Sequence, residues 1–182
     1  MNAAPEFSRL LSIEGIVPDK LREETVTATP EECAALAARL DLRELENLKA
    51  DLSIRRVSGG SILRVSGRIQ ADVVQSCVIS LRDVPAVVDA TFETFFTQDA
   101  QTDAQGKELS FTAEDEDSPE MLVNGMIDLG EVVTQYLSLN LDPYPRAPGV
   151  SLAAQLAEAG VAPADNPFAV LATLKDDKKG KK

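Results

Sequence analysis

Through the middle of the chain, apolar residues fall on every second position. Between Leu48 and Val57, Leu52 and Ile54 share one side. After Gly59-Gly60, from Ser61 to Val74, the residues Leu63, Val65, Ile69, Ala71 and Val73 face one way, and Arg64, Ser66, Arg68, Gln70 and Asp72 face the other. A period of two with a glycine turn predicts a half-buried β-hairpin. Val84 to Phe96 continues the pattern, with Val88, Ala90, Phe92 and Phe96 on one face and Asp89, Thr91 and Glu93 opposite, so an antiparallel meander is expected. Shorter strands are expected at Phe7 to Ile13, at Arg22 to Ala28 with its β-branched run Thr25-Val26-Thr27, and at Met121 to Met126.

Elsewhere the period is helical. Thr29-Pro30-Glu31-Glu32 supplies a cap, a first-turn proline and a glutamate three residues after the cap, opening a helix with Cys33, Leu36, Ala37 and Leu40 on one face. Asp128 and Glu131 read as a capping pair for a second helix, whose inner face is Leu129, Val132, Val133, Tyr136 and Leu137 and which Pro143, Pro145 and Pro148 stop. Ser151 to Ala159 predicts a brief surface helix closed by Gly160, and Val161 to Asp165 a linker. Asn166 or Asp165 can cap a last helix, with Pro167 at its first position and Phe168, Leu171 and Leu174 along it before a lysine-rich tail. Two turns alone are marginal in water. That segment therefore needs a surface to dock on, either its own domain or a partner.

Together these elements predict an α+β fold: an antiparallel β-sheet or partly closed barrel, two main helices and a short C-terminal helix. One domain is expected over residues 1–150, followed by a helical segment and lysine-rich tail over 151–182. Between them, residues 97–119 read as an acidic, mobile loop.

Composition narrows the chemistry. The chain has 182 residues, 44% of them hydrophobic, enough for a core, but aromatics make up only 4%, too few for a nucleic-acid stacking platform. It contains no histidine, which removes Ser-His-Asp and Cys-His catalysis, histidine-ligated metals and a histidine pH switch. Cys33 and Cys77 are too few for a disulfide scaffold, Met1 to Arg9 carries no apolar signal region, and no stretch approaches the roughly 18 apolar residues of a membrane span, so free thiols and a cytoplasmic location are expected. The net charge of −12 disfavours nucleic acid and favours basic partners or simple solubility. Glu114 to Asp117 lacks the interleaved ligands and turn glycine of a calcium loop, so it reads as a solvated run.

Three stretches carry a resemblance. Asn166 to Lys175, Ile127-Asp128-Leu129-Gly130-Glu131-Val132-Val133 running to Leu141-Asp142-Pro143, and Val73 to Leu81 occur in the order and spacing of the bacterial YceD-like proteins. The chain resembles that family, the large ribosomal RNA subunit accumulation proteins, from about Leu48 to Lys175. The resemblance implies a non-enzymatic factor supporting synthesis, processing or stability of large-subunit (23S) ribosomal RNA. Its implied partners are the pre-ribosomal large subunit, its RNA or a basic ribosomal protein. The family often carries cysteines at the positions of Cys77 and Ser80, a pair that can form half of a zinc site. Here one thiol, no histidine and no cysteine between Leu139 and Gly149 leave the ligand set short, so no metal and no other cofactor is expected. Cys33 then reads as a core residue and Cys77 as a small apolar residue at a strand end.

No catalytic residue is identified, and no enzyme is expected. The candidate partner contacts are Phe168, Leu171 and Leu174, together with Arg64 and Arg68, which share a strand face that Arg55 can join across the hairpin. That stripe suits phosphate contacts. Its commoner use is a solvated face answering Asp51, Asp72 and Glu93. An assembly factor, a direct RNA-binding module and an enzyme of unknown chemistry are the rival classes, the last without a supporting motif.

Overall fold

Four strands run antiparallel in chain order: β2 (Arg22–Thr27), β3 (Glu44–Val57), β4 (Ile62–Ser76) and β5 (Asp83–Thr97). β1 (Leu10–Ser12) lies outside this sheet. The computed structural model describes residues 5–18, 20–57, 62–98, 119–122 and 124–160. The alternating pattern is realised as expected: Leu52, Ile54, Leu63, Val65, Ile69, Ala71, Val73, Val88, Phe92 and Phe96 are all buried on one face. Leu52, Gly67 and Phe92 share one cross-strand row. A Cβ on Gly67 would stand 2.5 Å from Leu52 Cδ2 and 3.0 Å from Phe92 Cε1, so the missing side chain leaves room for its two neighbours.

The sheet is open, with order β2-β3-β4-β5-β6, so the barrel alternative does not hold: its two end strands do not pair with each other. The α+β class stands. The expected strand from Met121 to Met126 is instead two pieces. β6 (Glu120–Met121) pairs parallel with Phe96 and Thr97, while β7 (Met126–Asp128) pairs antiparallel with β1 in a separate two-stranded sheet. Asn124 and Gly125 lie between them with φ of 55° and 65°, and two successive left-handed residues cannot continue a strand. Likewise, the strand expected from Phe7 to Ile13 shrinks to β1, because Ile13–Gly15 winds into a 3-10 turn.

β3 starts four residues before the hydrophobic alternation does. Its register with β4 slips by one residue between Glu46 and Lys49, where Asn47 has φ 53°. This bulge lets Leu45 and Leu48, three apart, both point into the core.

Helix α1 (Pro30–Arg39) begins with the expected capping box: Thr29 Oγ1 accepts from Glu32 N–H, and the Glu32 carboxylate accepts from Thr29 N–H at 2.8 Å. It packs on β3 through Cys33, Leu36 and Ala37, so Cys33 is a core residue. Helix α2 (Leu129–Leu139) packs on β1 and β4. Asp128 caps it, but Glu131 does not complete a reciprocal box. Its carboxylate instead takes two hydrogen bonds from the Arg39 guanidinium, at 2.5 and 2.9 Å, tying α2 to α1. Both side chains are near 40% exposed, so the pair positions the helices more than it stabilises them. Helix α3 (Leu152–Glu158) is exposed throughout and ends at Ala159 and Gly160, as expected for a surface helix. The glycine turn at residues 58–61, residues 99–118 of the acidic loop, and the linker and final helix after Gly160 lie outside the described residues.

Candidate functional site

The outer face of the sheet carries the arginine stripe. Arg64 and Arg68 alternate outward on β4, and Arg55 on β3 stands directly opposite Arg64 in the ladder. Each of the two β4 arginines is held diagonally by a β5 carboxylate. Arg64 pairs with Glu93. Arg68 donates from Nε and an η nitrogen to Asp89 at 2.6 and 2.5 Å. The Arg68 guanidinium holds the Asp89 carboxyl below its usual range. Asp51 is lowered too, first by the Thr25 hydroxyl and then by Lys49. Of the three acids expected to answer the stripe, Glu93 does so through an ion pair, Asp51 acts on Arg68 through its field, and Asp72 instead accepts from Asn47 Nδ2 at 2.7 Å. The stripe exists as a geometry, yet carboxylates match its charge. Arg55 is exposed, with no ion pair among the described residues. Phe168, Leu171 and Leu174 lie outside the described residues, so nothing in the structure brings them to this face.

A second arrangement lies at the end of β4. Cys77 N–H donates to Arg82 O at 2.8 Å and Leu81 N–H to Cys77 O at 2.9 Å, closing a tight turn in which Leu81 has φ 58°. The sulfur accepts Ser80 N–H at 3.4 Å and, from seventy residues downstream, Ala147 N–H at 3.3 Å. Val78 N–H to Pro145 O, 2.9 Å, fastens the same two segments. Cys77 is therefore more than a small apolar residue at a strand end. It is the acceptor that joins the β4–β5 turn to the proline-rich stretch after α2. Sequence reading missed this joint because no local pattern links Cys77 to Ala147.

Burial opposes ionisation of Cys77, but the Ala147 amide, followed by the Ser80 hydroxyl and amide, outweighs it and brings the thiol to about 6. Cys33, buried against apolar neighbours, is pushed up instead. One thiolate should thus appear with a midpoint near pH 6 when ultraviolet absorbance is followed, and it should be missing in Cys77→Ser. A folded pKa below the unfolded one means the unfolded chain binds more protons between these values. Stability should therefore rise with pH from about 6 to about 9 and fall as pH drops through 6, a slope that Cys77→Ser flattens. A Cys77 midpoint above 8 would refute the amide assignment.

Among the described residues, no three His, Cys, Asp or Glu side chains are grouped to hold a metal ion. No described helix is long and apolar enough to cross a membrane. Among known protein families, the model of the large ribosomal RNA subunit accumulation protein YceD matches residues 65–175, more than half of the chain. The chain belongs to the YceD family. No curated protein and no solved structure matches it. The family segment of this YceD chain starts within β4 and contains the Cys77 turn, β5, the Asp128 cap and α2. It reaches Lys175, where the resemblance read from the sequence also ends, but begins at Val65 rather than near Leu48. Membership ties the chain to the accumulation of large-subunit ribosomal RNA.

Proposed function

We propose that this YceD chain acts in the cytoplasm as a non-enzymatic factor in large-subunit assembly, supporting the synthesis, processing or stability of 23S ribosomal RNA. The family match over residues 65–175 carries this reading. Two features favour contact through protein over direct contact with RNA. The net charge is −12, and the β4 arginines are already engaged by Glu93 and Asp89, so a phosphate would have to displace carboxylates from them. The partners are the pre-ribosomal large subunit or a basic ribosomal protein within it. Phe168 and Leu171 are proposed as contacts because their sequence reads as a short apolar helix, which needs a docking surface.

Deleting the gene should lower large-subunit relative to small-subunit ribosomal RNA, most clearly during growth in the cold. Phe168→Ala combined with Leu171→Ala should give a milder version of the same defect. Purified protein should leave RNA uncut. An unaltered subunit RNA ratio in the deletion strain would remove the reading.

A further inference from the structure

α1 turns an unusual face to solvent. The outward side of a core-packed helix normally carries charged residues, but α1 exposes Ala34 and Ala38, one turn apart. They border a hollow of about 660 Å³ between α1 and the start of β3, where Leu42 adds apolar surface and the bulge at Asn47 turns the strand. Small side chains on its floor allow another helix to approach closely. Glu44 and Glu46 stand exposed on its rim, with no ion pair among the described residues. Both also line a second hollow of about 250 Å³, which runs on past Asp72 to the exposed Val87. Arg43, the one cation among the described residues lining the first hollow, lies 4.0 Å from Asp83 and reaches Ser76.

We propose that this hollow docks a lysine- or arginine-rich amphipathic helix of a partner protein. The apolar stripe of such a helix would lie against Ala34, Ala38 and Leu42, while its cations meet Glu44, Glu46 and Asp72. The same carboxylates repel a phosphate backbone. A second copy of a chain with net charge −12 is disfavoured for the same reason. The first hollow is lined by residues 27–47, N-terminal to the family match, and of the proposed contacts only Asp72, on its extension, lies within that match; that the partner is a ribosomal protein rests on the function proposed above.

The test uses the full chain and a labelled synthetic helix with leucines at i, i+3, i+4 and i+7 and lysines elsewhere, read by fluorescence anisotropy. That helix should bind about tenfold or more tightly than a scrambled peptide of equal charge or a version with glutamate for lysine. Glu44→Lys with Glu46→Lys, and separately Ala38→Phe, should each weaken it about tenfold without moving the melting curve, since all three sites are exposed. Four results would overturn the proposal: equal binding of the scrambled peptide, unchanged affinity in both variants, tighter binding of a single-stranded RNA oligonucleotide, or a tenfold gain on truncation after Gly160. The last would make the chain's own tail the occupant. Subunit RNA ratios are read separately. A deletion strain with the defect that both groove variants fully complement would sink the docking site and leave the assembly role standing. A deletion strain without the defect would sink the assembly role whatever the peptide does.

Discussion

Gly130→Ala should destabilise the fold by about 2 kcal/mol, lowering the melting temperature by roughly 4 to 8 °C. Two effects of opposite sign compete at this position. Alanine is intrinsically better than glycine in a helix by about 1 kcal/mol. Against that, a Cβ on Gly130 would stand 2.3 Å from the Phe7 carbonyl oxygen and 2.8 Å from its carbonyl carbon, both of them backbone. The Phe7 segment cannot swing aside freely. Phe7 is 1% exposed, Arg9 N–H is held by Asp128 at 2.7 Å, and Leu129 N–H donates to Arg9 O at 3.0 Å. Contact therefore outweighs propensity. Thermal unfolding of the variant checks the sign, and a raised melting temperature would mean that propensity had won.

Asp128→Ala should cost about 3 kcal/mol, or roughly 6 to 12 °C of melting temperature. An N-cap alone contributes about 1 kcal/mol. Asp128 does more than cap, because its two oxygens accept from Ser8 Oγ at 2.5 Å, Arg9 N–H at 2.7 Å, Gly130 N–H at 3.0 Å and Glu131 N–H at 3.4 Å. Alanine would leave the first turn of α2 and the N-terminal segment without their shared acceptor. Asp128→Asn keeps one oxygen for the three amides, and the Ser8 hydroxyl can reverse its role toward the new amide, so this variant should lose less than about 1 kcal/mol. Urea unfolding of both variants separates the possibilities: equal losses would show that charge, not acceptor geometry, holds the joint.

These two positions also explain a motif that sequence alone could only match. Ile127-Asp128-Leu129-Gly130-Glu131 resembles a family stretch, and the structure supplies a physical reason for its residues. Ile127 is buried, Asp128 gathers four donors, Gly130 makes room for a crossing backbone and Glu131 reaches Arg39 on the other helix. Reading Asp128 and Glu131 as a reciprocal cap was half right because capping is local, whereas Arg39 lies far along the chain. The arginine stripe followed the same course. Its shared face was legible from a period of two, but the pairing of Arg64 with Glu93 and Arg68 with Asp89 depends on how β4 and β5 are aligned. The bulge at Asn47 left no signature in the hydrophobic pattern, whereas the break at Asn124-Gly125 carries an Asn-Gly turn signal that a reading by hydrophobic period passes over.

By itself the sequence determined the elements that depend on neighbours: the capping box of α1, the inner faces of both main helices, and the alternation of β3, β4 and β5. Periodicity and capping act over a few residues, so those residues are enough to read them. Only the tertiary structure decided that the sheet stays open, that Cys77 meets Ala147 seventy positions later, that Arg39 clasps Glu131 across ninety-two, and that Ser8 reaches Asp128 across 120. The hollow beside Ala34 and Ala38 belongs with these, because it exists only where α1 lies against a strand that the Asn47 bulge has turned. Such contacts follow from strand register and helix packing, which sum many weak apolar contacts over the whole core and leave no trace in any short window of sequence.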